Sequence, residues 1–312
     1  MIRYLQNNEI DYEKWDDCID RAFNGNVYAW SWYLDLVCEG WEALVQGDYE
    51  LVMPLTSGKK YGIYYLYQPP FTQQLGLYSK IPSGNLAVNE FLDSMKIHYR
   101  FAEINLNRHN KINHQDFNIK MRKNYELELI KPIAEIRSNY TSNTSRNIRK
   151  AENEGISIVT NVDPGSIITM FRQEKGAEIK KLGDKQYQML EKLIYRSAYK
   201  NMAITVGAFD KNNELCAGAF LLKSHHRIVF LFSANNKTAR QTGAMHLLID
   251  SVIQQHAGQA LTFDFEGSEI PGLARFYAGF GSTETYYPSI TYNRLPFPVN
   301  SAIRLLQLLR LK

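Results

Sequence analysis

The sequence predicts a mixed α/β (α+β) fold made of two similar halves, and three observations carry that expectation. Short apolar runs bounded by Gly, Pro, Asn and Asp alternate with helical periodicity along the whole chain. The order strand, loop, helix, strand, Phe, strand occurs twice: over 63–68, 85–99, 103–106, Phe117 and 125–129, and again over 228–233, 244–257, 262–265, Phe280 and 289–292. The length, 312 residues, suits two domains of ordinary size. The boundary is placed at Lys131-Pro132, giving halves 1–133 and 134–312, each a central mixed sheet flanked by helices.

In chain order, residues 11–38 read as one helix with a Trp/Tyr face. Residues 42–52 and 63–68 alternate as strands do, with Ser57-Gly58-Lys59 as a turn between them. Pro69-Pro70 ends that block, and Ser83-Gly-Asn85 caps a helix to residue 99. Short strands follow at 102–106 and 121–130, the latter with Tyr125, Leu127 and Leu129 on one face. In the second half, 136–154 reads as a basic helix stopped at Gly155. Strand 157–160, helices 164–175 and 185–200, and paired strands 203–209 and 215–222 come next. Strand 228–233, helix 244–257 and strands 261–265 and 290–293 complete it.

Composition narrows the function classes. The chain is 45% hydrophobic and 22% charged, as soluble globular proteins are, with a net charge of +4 that permits an anionic ligand and demands none. Cys18, Cys38 and Cys216 lack paired spacing, which fits a reduced, cytoplasmic setting. The His225-His226 and His109/His114 neighbours lack a third ligand, so no metal is expected. No apolar run reaches the ~20 residues of a membrane span. DNA is not among the expected partners. The tail from Ser301, apolar with three positive charges, packs on the body or touches a membrane surface peripherally.

The densest chemistry lies in Leu261-Thr-Phe-Asp-Phe-Glu-Gly-Ser268 and Ala274-Arg-Phe-Tyr-Ala-Gly-Phe-Gly281. Asp264 and Glu266, two apart on a strand end, share a face and raise each other's proton affinity. Either can act as a base for an amine, with Glu266 nearer the strand end where open sheets bind ligands. Alternatively, one of them caps the turn or pairs with Arg275. Tyr277 is the candidate acid, or else core. Ser268 binds substrate or, more in keeping with its type, caps a helix. Upstream, Arg240-Gln-Thr-Gly-Ala244 reads as a loop whose backbone N–H groups, ahead of a helix, can wrap a pyrophosphate, with Arg240 adding a charge-assisted contact. In the first half, Gln68-Pro-Pro-Phe-Thr-Gln-Gln74 offers Gln73 and Gln74 as donors and acceptors on a rigid loop, for a substrate or for a domain contact. Arg146, Arg149 and Lys150 fall on one helical face, able to grip phosphates or simply solvated.

Arg240, Gly243 and Ala244 after a strand, followed by Ala274-Arg-Phe-Tyr277 and Phe280-Gly281, resemble the GNAT acyltransferase superfamily. The resemblance implies that Arg240, Gly243 and Ala244 bind the pyrophosphate of acyl-CoA, with acetyl-CoA the expected donor, and that Tyr277 protonates the leaving thiolate. Met245 departs from the pattern, standing where a small residue is expected. The tandem halves, Arg146-Asn-Ile-Arg-Lys-Ala151 with Gly155, and Phe-Asp-Phe-Glu-Gly-Ser268 are similar to the FemAB-type branch. That branch implies aminoacyl-tRNA as an alternative donor, an amine of a cell-wall or lipid precursor as acceptor, and tRNA as a partner for Arg146 and Arg149. The expectation is an N-acyltransferase acting on a small-molecule or envelope-precursor amine. A GNAT-fold binding protein without catalysis is the reading from a different class.

Overall fold

The computed structural model describes residues 1–312 except 61, 83, 175–181, 268 and 297–312. The expectations for Ser83, Ser268 and the tail lie outside the described residues. The chain divides into two compact units, Met1–Arg122 with Tyr287–Lys312, and Lys123–Tyr286.

The first unit holds β1 (Ile2–Leu5), α1 (Tyr12–Arg21), α2 (Ser31–Val37), β2 (Glu42–Gln46), β3 (Leu51–Leu55), β4 (Ser57–Lys60), β5 (Ile63–Tyr67), β6 (Tyr78–Ser79), α3 (Asn85–His98) and β7 (Phe101–Asn105). β8 (Asn118–Glu128) leads out of it. The single helix expected over 11–38 is two. α1 starts where the Asp11 carboxylate accepts from the N–H groups of Glu13 and Lys14. It stops at Ala22, and Asn26 caps a short 3₁₀ turn before α2. The strand expected over 42–52 is likewise two, because the chain turns at Gly47 and Tyr49, both left-handed. The Tyr49 hydroxyl accepts from the Asp11 N–H, so a tertiary bond holds a conformation that an aromatic residue rarely takes. Ser57-Gly58-Lys59, read as a turn, is strand β4, paired with β5 through Gly58↔Tyr65.

One sheet of this unit runs β1-β2-β3-β6. In the other, β4 pairs β5, β5 pairs β7 in parallel, and β7 pairs antiparallel with the end of β14 (Thr283–Asn293) through Ile104↔Ile290 and Ala102↔Tyr292. The core gathers Leu66, Phe91, Leu92, Met95, Ala102, Ile104 and Ile290.

The second unit contains α4 (Ile133–Ser138), α5 (Ser142–Asn153), β9 (Ser157–Thr160), α6 (Pro164–Glu174), α7 (Asp184–Tyr199), β10 (Ala203–Phe209), β11 (Leu215–Ser224), β12 (Arg227–Asn235), α8 (Lys237–Thr242), α9 (Ala244–His256), β13 (Thr262–Asp264) and α10 (Pro271–Ala278). The basic helix expected over 136–154 is broken. The Thr141 N–H donates to Gly279 O, and the Thr141 side chain caps α5 by accepting from Thr144 N–H. Strand order is β8-β13-β12-β11-β10-β9. β12 and β13 are parallel, joined by the crossover through α8 and α9, and the rest of the ladder is antiparallel. One face of this sheet buries Phe230, Phe263 and Phe265 with Leu248, Ile249 and Val252 of α9.

Both units thus contain a parallel pair joined by a helix, β5–α3–β7 and β12–α9–β13, flanked on one side by an antiparallel strand. The twofold element order of the sequence is present in the fold. The flanking strands are traded: β8, which ends the first run of elements, pairs with β13, and β14, which ends the second, pairs with β7.

Candidate active site

The site is built where β12 and β13 separate. They pair only from Arg227↔Thr262 to Val229↔Asp264. β13 ends there, whereas β12 runs on to Asn235 against β11. The β11–β12 register shifts between Phe220↔Phe232 and Leu221↔Phe230, leaving Leu231 as the extra residue of a bulge. A bulge twists the strand and re-aims its groups. Diverging parallel strands leave a backbone edge open at their carboxyl ends, where open α/β sheets bind ligands. In a β–α–β crossover the helix runs back along the strands, so the N-terminus of α9 faces this same end.

β12 is followed by Asn236, whose side chain accepts from Ala239 N–H and starts α8. The stretch expected as a loop over Arg240–Ala244 is therefore a short helix, a glycine corner and a second helix. Arg240 lies inside α8, with its guanidinium on Asn235 O (3.0 Å), Asn235 Oδ1 (3.2 Å) and Glu174 (2.8 Å). Gly243 ends α8 and opens α9 at φ +83°, a left-handed conformation that a β-carbon disfavours. Its N–H donates to Ala239 O. The same residue lets α5 approach: a β-carbon at 243 would sit 2.6 Å from Asn147 O. Ala244 is fully buried, and the Met245 side chain joins the core, 7% exposed. No side chain caps the 13 residues of α9, so the positive end of its dipole is not met by a carboxylate or hydroxyl of a cap.

On the other side of the opening, Asp264 is buried and its carboxylate fully engaged. It accepts from Asn124 Nδ2 (3.0 Å), Arg227 Nε (3.2 Å), Arg227 Nη2 (2.8 Å) and the Glu266 N–H (2.9 Å). Arg227 also reaches Glu126 (2.6 Å), which accepts from Asn124 as well (3.1 Å). Burial disfavours the Arg227 cation, and its two carboxylates more than offset that, so it stays charged. Glu266 does not continue the strand. It is half-buried at φ +56°, so the same-face arrangement expected for Asp264 and Glu266 is replaced by a hydrogen-bonded turn.

α10 begins with Pro271 in its first turn and places Tyr277 against the opening. The Tyr277 ring packs on Phe265 (5.2 Å), Tyr125 (6.1 Å) and Phe230 (6.4 Å). Burial, then the nearby negative charge of Glu266, pushes its phenol well above the ordinary value. Phe280 is buried in the core and Phe276 packs against it, partly buried, and between them they hold a residue the sequence reading passed over. His246, in the first turn of α9, meets Phe276 (4.7 Å) and Phe280 (6.0 Å), and burial lowers its pKa to about 4.

The other predicted residues lie elsewhere. Arg146 and Arg149 are exposed on α5, bonded to Asn143 Oδ1 (2.9 Å) and Ser145 O (3.3 Å). In the first unit, Gln73 and Gln74 are buried. Gln74 donates to Gln73 (2.6 Å) and accepts from the Arg108 N–H (3.0 Å). The structure therefore gathers Asp264, Glu266 and Tyr277, and sets Arg240, Gly243 and Ala244 at the start of α9. Arg227, Glu126 and Asn124 were not singled out, although alternation in β8 already put Asn124 and Glu126 opposite the apolar Tyr125 and Leu127. Among the described residues there is no metal-binding cluster and no helix long and apolar enough to cross a membrane.

No family model matches the chain, and no curated protein matches it in sequence. Solved structures do. An acetyltransferase of the GNAT family from Colwellia psychrerythraea aligns over 94% of this chain and 100% of its own, with TM-score 0.51 and 12% identity. The C-terminal domain of a putative lysylphosphatidylglycerol synthetase from Agrobacterium fabrum covers 95% and 94%, with TM-score 0.53 and 9% identity. The fold is thus GNAT-like. Its Fem-like form is shown by FemX, which aligns over 96% of this chain and 99% of its own, with TM-score 0.68 and 14% identity. At such identities the likeness is one of fold.

Proposed function

We propose that the protein is an N-acyltransferase whose reaction centre is the opening between β12 and β13. The observation that carries this reading is that Tyr277 packs on Phe230 and Phe265, the first residues past the β12–β13 pairing, with the β12 bulge at Leu231 next in the chain and the charge of Glu266 near enough to raise the phenol. An activated acyl donor supplies the electrophilic carbonyl. Glu266 takes the proton from the acceptor amine as the C–N bond forms. Backbone N–H groups of β12 around Leu231 polarise the carbonyl oxygen. Tyr277, held protonated by burial and by Glu266, gives its proton to the departing atom as the bond from carbon to the leaving group breaks.

Acyl-CoA, with acetyl-CoA the first candidate, is the donor this arrangement supports. The start of α9 offers a helix dipole for a pyrophosphate. Met245 points into the core rather than across that helix end. The names of the structural neighbours, an acetyltransferase among them, support transfer of an acyl group. A second reading rests on α5: Arg146, Arg149 and Lys150 form an exposed basic row on the helix that abuts Gly243. A row of that kind suits the phosphates of an aminoacyl-tRNA donor.

Thermal unfolding with acetyl-CoA and with free CoA tests the first reading. At about 100 times its dissociation constant a ligand adds about 2.7 kcal/mol, a clear upward shift. Shifts with both, and thiol release with added primary amines, are expected. Absence of both, with tRNA binding that weakens steeply with salt and on loss of Arg146 and Arg149, transfers the assignment to the second reading. Tight binding of either donor with no transfer to any amine refutes catalysis.

A further inference from the structure

We infer that Asp264 is a positioning residue for Glu266, and that Arg227 holds Asp264 in that role. The inference rests on the reading of Glu266 as the base. Glu266 is half-buried and left-handed, φ +56°, with no glycine to make that conformation easy. For a residue with a β-carbon this region is strained, and it persists where surroundings over-determine it. The Glu266 N–H donates to Asp264 Oδ1 at 2.9 Å, closing a turn of the kind Asp favours two residues on.

Asp264 can serve as that acceptor only if its carboxylate is itself fixed, and every element beside it contributes. The other oxygen, Oδ2, takes both Nε and Nη2 of Arg227, at 3.2 and 2.8 Å. Asn124 of β8 binds Oδ1 at 3.0 Å, alongside the Glu266 N–H. Glu126, paired across β8–β13 with Asp264 in the ladder, anchors the far side of Arg227 at 2.6 Å. Both strands beside β13, β8 and β12, therefore lock one carboxylate. The lock sits at the last paired residue of β13, so its effect falls on the first residues beyond the pairing, where Glu266 lies near enough for its charge to raise the Tyr277 phenol. The left-handed turn, rather than strand alternation, sets where the Glu266 carboxylate lies. Two carboxylates on one guanidinium also explain why a polar layer survives in the sheet interior: with Asp264 removed, Arg227 and Glu126 remain as a balanced pair.

That balance makes Asp264→Ala a fair test. Amide hydrogen exchange is read at Glu266 and, as an internal standard, at Phe265, whose N–H donates to Tyr125 O rather than to Asp264. A hydrogen bond to a charged acceptor is worth about 1.5–3 kcal/mol, so Asp264→Ala should speed exchange at Glu266 by about ten- to hundredfold relative to Phe265. Asp264→Asn, which keeps an acceptor oxygen, should restore most of the protection, and Glu126→Gln should leave the ratio unchanged. Arg227→Lys, which keeps the charge and loses the fork, gives a smaller selective acceleration and serves if Asp264→Ala does not fold. Exchange at Glu266 and Phe265 changing together, or neither changing, overturns the inference.

Turnover separates this inference from the reading beneath it, with transfer from acetyl-CoA to a primary amine as the probe. Glu266→Gln inactive with Asp264→Ala at full kcat means that Glu266 acts without this support. Glu266→Gln active removes Glu266 as base, whatever the exchange shows. Glu266→Gln inactive, with Asp264→Ala reduced in kcat at an unchanged KM and rescued by Asp264→Asn, is the expected result.

Discussion

Replacing Gly243 with alanine tests the architecture of the α8–α9 corner directly. Two separate costs are built into that position. The backbone sits at φ +83°, where a residue with a β-carbon loses about 1–2 kcal/mol. The added carbon would also lie 2.6 Å from Asn147 O and 3.1 Å from Asn147 Cβ, closer than real contacts allow, and the first of these is backbone. Forcing α5 away should cost a further ~1–3 kcal/mol, the usual range for overpacking. The two sum to roughly 2–5 kcal/mol. Gly258 separates them. It too is left-handed, φ +80°, but nothing lies within 4 Å of its missing β-carbon, so Gly258→Ala should show the backbone cost alone. Denaturant unfolding of the wild type and both variants gives the difference. Gly243→Ala no more destabilised than Gly258→Ala would refute close approach of α5 to this corner, and with it the argument that the glycine serves packing.

Three further outcomes are expected. Arg137 forks onto the buried Asp250, at 3.0 and 2.5 Å, and Arg137→Met strands that carboxylate, so unfolding should become easier by about 3–5 kcal/mol in denaturant titration. His246 protonates near pH 4 in the folded chain but near its ordinary 6.5 when unfolded. Only the unfolded chain takes up the proton between those values, so stability falls as pH drops from 6.5 to 4, by an amount on the order of 2–3 kcal/mol. His246→Phe, placed among Phe276 and Phe280, should flatten that part of the pH–stability curve. Tyr277→Phe keeps the packing on Phe265 and should leave the unfolding midpoint nearly unchanged while lowering kcat about 10²-fold or more; an unchanged kcat would take the phenol out of the reaction.

The order of elements around the site was legible because it is written locally. Apolar runs mark β12 and β13, Gly243 stands where α9 begins, and the carboxylates and Tyr277 follow in order. What could not be read depends on partners distant in sequence. Tyr49 turns the chain because its hydroxyl meets Asp11. Ser57–Lys60 is a strand because β5 pairs with it, and the Tyr65 ring lies over Gly58. The break between α4 and α5 needs Gly279, and the same-face expectation for Asp264 and Glu266 failed because Asp264 captures the next N–H but one. The glycine at 243 suggests a loop over Arg240–Ala244, yet Lys237–Thr242 is helical because Asn236 caps it.

The trading of flanking strands bears on how the protein emerges from the ribosome. β7 needs the end of β14, Ser289–Asn293, on its open side, but that segment is made only after the whole of Lys123–Tyr286. At about 5–20 residues per second, that delay is on the order of ten seconds or longer. Throughout it, the edge of Phe101–Asn105 is an unpaired template for any other strand nearby. The contiguous unit, by contrast, has all its strands in hand before the last one arrives. Lesions that slow its closure prolong the wait, so weakly destabilising changes around β13 should show first as lost yield from growing cells rather than as a lower melting temperature of the purified protein.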